Sequence, residues 1–134
     1  MEYISAKEFL KQPKEIQKVF IDWWQPRIFD LYHVEFKDEE EIFSKNLSIS
    51  QEDIDEFGID FFPNGIDGNV FPLLTEGQLR KFIEDNINKK VDIIHYINEG
   101  YILVVDEDID YSNLGHDLLQ AYWKVACQIA NKEE

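Results

Sequence analysis

The chain has 134 residues and a formal net charge of −15, with 28 acidic against 13 basic side chains. This acidic excess disfavours direct binding to nucleic acid, because affinity for the phosphate backbone comes from basic groups that displace counterions. Apolar residues make up 44% of the chain and aromatic residues 14%, which excludes global disorder and predicts a single folded domain over residues 1–134.

Two short helices are predicted at the start of the chain. Ser5 can cap the first helix, and Glu8, three residues later, completes a capping box. Pro13 suits the first turn of the second helix, and Gln25 should end it because a residue before proline is pushed out of the helical region. The apolar stripe of the second helix consists of Ile16, Val19, Phe20 and Trp23.

Two strands and a short acidic helix are predicted next. Residues 27–36 mix aromatic and β-branched side chains with partial alternation, and residues 42–49 form a second strand candidate after an acidic turn. Ser50 can cap a helix with Asp53 three residues on, and Gly58 can stop it.

The second half of the chain predicts a helix, a hairpin and a long final helix. Thr75 caps a helix with Gln78 at its third position. Residues 91–105 form a hairpin in which Gly100 takes the left-handed position of the turn. An apolar stripe predicts the last helix over residues 113–131. The sequence therefore predicts an α+β fold, with an antiparallel sheet of about four strands packed by helices and a long C-terminal helix.

Acidic side chains concentrate in a predicted strand and loop region at about residues 35–70. The sequence from Glu35 to Asp60 contains ten acidic residues and only two lysines. The ten are Glu35, Asp38, Glu39, Glu40, Glu41, Glu52, Asp53, Asp55, Glu56 and Asp60. A solvated face is the simplest interpretation of such a run, and a surface that attracts a basic partner is the functional one.

Few residues predict catalysis or metal binding. Cys127 is the only cysteine, which excludes an intrachain disulfide, and its apolar helical neighbours favour a buried structural role. His95 shares a strand face with apolar residues and favours packing. The acidic stretch Asp106, Asp108, Asp110, Ser112 and Asp117 has the spacing of a calcium loop, but Tyr111 stands where that loop needs glycine. We predict no catalytic residues, no metal site and no cofactor.

The sequence predicts neither a membrane span nor a secretory signal. No stretch approaches the roughly 18 consecutive apolar residues of a membrane span. The first residues lack the basic-then-apolar order of a secretory signal. We expect a soluble protein of the cytoplasm that does not bind membranes.

Three helical segments carry a resemblance to a known group of proteins. The segments AKEFLKQPKEIQKVFIDWWQP (residues 6–26), PLLTEGQLRKFIED (residues 72–85) and LLQAYWKVACQIA (residues 118–130) together resemble small phage and prophage proteins of Gram-positive bacteria. The resemblance concerns the scaffold and supplies no catalytic residues. It implies an accessory protein of a phage, a class that often binds and blocks host proteins, including defence enzymes that handle nucleic acid.

The leading hypothesis is therefore a non-enzymatic protein that binds a basic surface of a host or phage protein. One form of this hypothesis is an inhibitor of the anti-defence or anti-CRISPR kind, which imitates the charge of nucleic acid in the groove of a nuclease. The predicted contact residues are Glu39, Glu40, Glu41, Asp53, Asp55 and Glu56, with Phe61 and Phe62 as apolar anchors.

Two alternatives stay open. The first is a phage structural or regulatory protein that self-associates through its helices or its hairpin. The second is a metal-dependent enzyme that uses clustered carboxylates. The sequence does not decide between them.

Overall fold

The computed structural model describes residues 2–38, 41–63, 70–107 and 109–132. The helices are α1 (Ala6–Leu10), α2 (Lys14–Trp23), α3 (Gln51–Phe57), α4 (Glu76–Ile87) and α5 (Leu118–Lys132), with a 3-10 helix at Ile59–Phe61. The strands are β1 (Leu31–Asp38), β2 (Glu41–Ser48), β3 (Val70–Pro72), β4 (Asp92–Tyr96), β5 (Gly100–Asp106) and β6 (Ile109–Tyr111). Within these residues, every helix is too short or too polar to cross a membrane.

The chain divides into two compact units. The N-terminal unit comprises Ser5–Leu73, and the C-terminal unit comprises Met1–Ile4 together with Leu74–Glu134. The first residues join the C-terminal unit through backbone pairing: the Ile4 N–H donates to the Leu74 carbonyl at 2.8 Å, and Tyr3 forms an antiparallel bridge with Thr75. The expectation of a single domain over residues 1–134 stays a prediction.

The α+β class, the antiparallel strand pairing and the C-terminal helix are confirmed, but the prediction of one sheet of about four strands is wrong. The described strands form two antiparallel three-stranded sheets, with strand orders β2-β1-β3 and β4-β5-β6. The third strand of each sheet has three residues, which is too short to produce a visible alternation in the sequence. Each predicted strand pair is therefore a hairpin of its own sheet.

In the N-terminal unit, strand β1 is buried on both faces near its start. Tyr32 and Val34 lie in one core with Trp24, Ile49, Phe62 and Val70. On the other face, the His33 ring lies 4.9 Å from the Phe71 ring, which stacks on Phe9 at 4.6 Å. The buried imidazole is held by a 2.7 Å hydrogen bond between its Nδ1 and Asn46 Oδ1.

In the C-terminal unit, α5 packs against α4 and against β5. Helix α5 begins five residues later than predicted, because Asn113 and Gly115 have positive φ angles of 59° and 81° that interrupt a helix. Asp117 precedes the helix and accepts a hydrogen bond from the Gln120 N–H at 2.9 Å. The predicted hairpin is confirmed, with Gly100 at φ 87°.

Glu84 on α4 holds the segment that leads into β4. Its carboxylate accepts hydrogen bonds from the Val91 N–H at 2.9 Å and from Arg80 Nε at 3.3 Å, and it lies 3.7 Å from the Lys90 ammonium. Burial by itself would raise the pKa of Glu84, but the two hydrogen bonds and the nearby ammonium outweigh burial and hold that pKa below its ordinary value. The fold therefore stabilises the ionised carboxylate.

Candidate protein-binding surface

Helix α3 is fixed at both ends. Ser50 Oγ accepts a hydrogen bond from the Asp53 N–H at 3.2 Å, and the Asp53 carboxylate accepts one from the Ser50 N–H at 3.0 Å, which forms a capping box. Gly58, with φ 79°, ends the helix and donates its N–H to the Ile54 carbonyl at 2.8 Å. Ile49, immediately before the cap, is fully buried. The sequence-predicted cap and stop are thus both confirmed.

Three carboxylates share one face of α3. Glu52, Asp55 and Glu56 stand at i, i+3 and i+4 and are all exposed. Asp60 in the following 3-10 helix is exposed as well. Within the part of the chain that the structure describes, no ion pair reaches these four carboxylates. The sequence contains no lysine or arginine between residues 45 and 80, so their negative potential has no neighbouring basic residue along the chain.

Asp53 has a different role from its neighbours. Its side chain is half-buried and is engaged in the capping box. Burial raises the pKa of the Tyr32 hydroxyl, and the negative charge of Asp53 raises it further. Asp53 is therefore held in the cap of α3, near the Tyr32 hydroxyl, and is less exposed than Glu52 or Asp55.

Four aromatic rings connect the core to the surface beside α3. The Tyr32 ring contacts the Phe62 ring edge-on at 5.2 Å, Phe62 contacts Phe61 edge-on at 5.5 Å, and Phe61 stacks on Phe57 at 5.0 Å. Phe62 is only 1% exposed, whereas Phe57 is 51% exposed. The ring that faces solvent is therefore Phe57, with the half-buried Phe61 beneath it, and Phe62 supports both from the core.

The exposed side chains of Glu52, Asp55, Glu56, Phe57 and Asp60, together with the half-buried Phe61, are called the acidic–aromatic surface below. Sequence reasoning singled out Asp55, Glu56 and Phe61, but it overlooked Phe57. The period of α3 places Phe57 three residues after Ile54, which packs on the core, so the pattern gives no signal that Phe57 is exposed.

Three of the predicted contact residues, Glu39, Glu40 and Glu41, are not part of the acidic–aromatic surface defined above. Glu39 and Glu40 lie outside the described residues. Glu41 is exposed at the first position of β2, opposite Asp38 in the register, while α3 follows the other end of that strand. An eight-residue strand spans about 24 Å from its first to its last Cα. Glu41 is therefore separated from the start of α3 by the full length of β2.

Within the acidic stretch at residues 106–117, Ile109–Tyr111 forms strand β6, which pairs with β5. Asp106 lies 2.9 Å from the Lys89 ammonium; this hydrogen bond, the hydrogen bond from the Glu107 N–H and the lysine charge lower the pKa of the Asp106 carboxyl. Asp110 lies in β6, paired with Val104 of β5, and Asp108 lies outside the described residues. Among the residues that are described, no three His, Cys, Asp or Glu side chains converge to hold a metal ion.

Two histidines meet at the surface of the C-terminal unit. His95 Nε2 and His116 Nδ1 lie 3.0 Å apart, and the His95 ring lies 4.4 Å from the Tyr101 ring. Sequence reasoning placed His95 in a packing role and did not predict His116 as its partner, because the two residues are 21 positions apart. Cys127 is half-buried on α5, so the burial predicted for it is only partial.

Comparison of the chain with protein-family models, with curated proteins and with solved structures finds no match. The resemblance to phage and prophage proteins therefore stays a prediction.

Proposed function

We propose that the protein is a non-enzymatic binding protein of a phage or prophage that uses the acidic–aromatic surface to dock on a basic surface of a host or phage protein. The observation that carries the proposal is a row of exposed carboxylates on α3 beside an exposed phenylalanine, all on a helix fixed by its caps. A nuclease groove that binds nucleic acid is the kind of basic surface that fits. We place the protein in the cytoplasm of the host cell.

Electrostatics supports a basic protein partner. A net charge of −15 repels nucleic acid and attracts a cationic groove, and complementary charge speeds association. The carboxylates at Glu52, Asp55 and Glu56 lie on a capped helix whose orientation is set before binding, so less conformational entropy is lost when a partner is met.

The aromatic side chains support a protein partner of defined shape. Phe57 presents a ring that already stacks on Phe61 and through it on the core, so the ring can bury apolar area at little further cost in side-chain entropy. Exposed aromatic residues flanked by charges are typical of binding hot spots. A mimic of nucleic acid would need both elements, charge for the groove and a ring for specific contact.

The experiment is affinity capture from an infected host lysate with the wild-type protein and with two charge-matched variants. The first variant is Glu52→Gln, Asp55→Asn and Glu56→Gln combined. The control variant is Glu2→Gln, Glu107→Gln and Asp110→Asn combined, which changes exposed acids in the C-terminal unit. Both variants change the net charge by the same amount, so only the location of the charge differs.

We expect the wild type and the control to retain the same basic protein and the α3 variant to lose it. Duplex DNA should compete for the captured protein. The affinity between the wild-type protein and the captured protein should fall by about tenfold or more between low and moderate salt. Phe57→Ala should weaken binding without changing the salt dependence. Equal retention by both charge variants, or an affinity unaffected by salt, would refute the proposal.

The alternative of a self-associating phage structural or regulatory protein rests on a different part of the molecule, the exposed edge of β4. The alternative of a metal-dependent enzyme finds no supporting cluster of ligands among the described residues.

A further inference from the structure

Among the described strands, four lie at the edges of the two sheets, and three of these carry a feature that hinders pairing with another chain. Strand β2 has Lys45 in its middle, β3 has three residues and ends in Pro72, and β6 has three residues beside a register shift at Val104 to Asp106. Lysine, proline, bulges and short length all protect sheet edges. Strand β4 has five residues and none of these features between Ile93 and Tyr96.

The backbone direction of β4 follows from its neighbour β5. Gly100 pairs with Tyr96 on one edge and bridges to Gly115 on the other, and the Tyr101 N–H donates to the Gly115 carbonyl at 2.8 Å. Tyr101 therefore directs its N–H away from β4, so Tyr101 and His95 are opposed without exchanging hydrogen bonds.

The alternation of an antiparallel pair then assigns the remaining groups. His95 and Ile93 direct their N–H and C=O groups toward the open edge of β4, while Ile94 directs its groups toward β5. Among the described strands, β4 pairs with β5 alone. The open edge thus offers two donors and two acceptors in the spacing that another strand requires.

We propose that β4 is the contact surface for a second copy of this chain, paired antiparallel with its own β4 about a two-fold axis at Ile94. In this register Ile93 of each copy lies opposite His95 of the other, and the two pairs exchange about four backbone hydrogen bonds. The two Ile94 residues form the pair without hydrogen bonds, in which side chains approach most closely. The result is a continuous six-stranded sheet.

Side-chain exposure agrees with this register. Ile94 and Tyr96 are 40% and 49% exposed, and Ile97 in the following turn is 86% exposed. Ile94 and Tyr96 share the sheet face opposite to Ile93 and His95, so pairing joins the apolar side chains of two copies into one row.

Charge favours the antiparallel direction. The Lys90 side chain is exposed just before β4, and Glu99 is exposed in the turn after it. Antiparallel pairing brings Lys90 of each copy toward Glu99 of the other, whereas parallel pairing would bring like charges together. Because each copy has a net charge of −15, added salt should strengthen the dimer by screening the long-range repulsion.

Sedimentation equilibrium of the full chain tests the dimer directly. The interface is small, so we expect the mass to rise from 15.9 kDa toward twice that value between about 10 µM and about 1 mM, and to rise further when salt is added. A mass of 15.9 kDa at every concentration and salt level would overturn the proposal. The opposite salt dependence separates this contact from the acidic–aromatic surface, so either proposal can fail alone.

A matched pair of substitutions tests whether the dimer contact lies at Ile94. Ile94→Lys places two lysines at the two-fold axis and should weaken the dimer by at least about tenfold. Leu47→Lys is the control, because Leu47 is also 40% exposed and also lies on an edge strand, in the N-terminal unit. Retention of the dimer in Ile94→Lys, or equal loss in both folded variants, would contradict the assignment.

Cross-linking gives a readout that does not depend on a destabilising substitution. The proposed register sets the two Ile94 Cα atoms about 4.5 Å apart, within the range that a disulfide spans. The experiment uses a Cys127→Ala background, so that the introduced cysteine is the only thiol. Ile94→Cys should form a covalent dimer on mild oxidation much faster than Leu47→Cys. Equal rates for the two variants would refute the two-fold pairing at Ile94.

Discussion

Gly100→Ala is expected to be the most destabilising of the glycine substitutions in the described chain. A Cβ at residue 100 would lie 2.4 Å from the Gly115 carbonyl oxygen and 2.8 Å from its carbonyl carbon. Both atoms belong to the backbone and cannot rotate away. The φ angle of 87° adds the strain of a left-handed conformation.

The magnitude follows from three contributions. Left-handed strain costs about 1–2 kcal/mol for alanine. Moving Gly115 away by about 1 Å loses the hydrogen bond from the Tyr101 N–H to the Gly115 carbonyl, at a cost of about 1 kcal/mol. Displacement of the loop that leads into α5 costs about 1 kcal/mol more in disturbed packing. We therefore expect a loss of about 3–4 kcal/mol in the free energy of unfolding.

Two other glycines isolate these contributions. Gly58 has φ 79° and ψ 152°, a region that essentially only glycine adopts, but no atom lies within 4 Å of an added Cβ, so Gly58→Ala should cost only the backbone strain, about 1–3 kcal/mol. Gly77 lies in the first turn of α4 with open space around it, and Gly77→Ala should stabilise the protein by up to about 1 kcal/mol.

Urea denaturation followed by far-UV circular dichroism and tryptophan fluorescence measures all three variants. The expected order from most to least stable is Gly77→Ala, wild type, Gly58→Ala and Gly100→Ala. It would be refuted if Gly100→Ala were no less stable than Gly58→Ala, because the clash with Gly115 would then have no energetic consequence.

Four further substitutions test other parts of the structure. Glu84→Ala removes the acceptor of the Val91 N–H and should cost about 2 kcal/mol at neutral pH. Because the pKa of Glu84 is lowered in the fold, the ionised carboxylate contributes its full stabilisation above the ordinary pKa of a glutamate. This stabilisation is lost as the pH falls through the lowered pKa. The variant lacks the carboxylate, so acidification should reduce its free energy of unfolding less than that of the wild type. The raised pKa of Tyr32 means that the wild type loses stability as the pH rises above about 10, and Tyr32→Phe should flatten this alkaline loss in the same denaturation assay. Phe62→Ala should cost about 3–5 kcal/mol, whereas Phe57→Ala should change stability by less than about 1 kcal/mol and reduce partner binding instead. Similar unfolding energies for these last two variants would contradict their assigned burial.

Local features of the fold were predictable because their causes are local. The caps at Ser5, Ser50 and Thr75 depend on residues within three positions, and each forms the predicted hydrogen bond. The hairpin turn at Gly100 likewise depends on one backbone angle. Spacing in the sequence is sufficient information for such features.

Features set by distant contacts were not predictable. Strands β3 and β6 exist because β1 and β5 offer them an edge, and three residues contain no period of their own. Tertiary hydrogen bonding decided these positions.

The acidic residues of the candidate binding surface could be predicted from the sequence, but its exposed aromatic residue could not. Clustering of acids before residue 60 is visible in the sequence, and exposure of Asp55 and Glu56 follows from their charge. Phe57, Phe61 and Phe62 have the same side chain, so residue type does not distinguish the buried Phe62 from the exposed Phe57. Composition contains no information about that difference.

Backbone pairing of residues 3 and 4 with residues 74 and 75 makes the N-terminal unit an insertion within the C-terminal unit. Joining Ile4 to Leu74 closes a chain loop that contains the whole of Ser5–Leu73, and loop closure costs less entropy once that segment has already contracted. The inserted segment should therefore collapse first, and registration of Tyr3 against Thr75 should be a late event in folding.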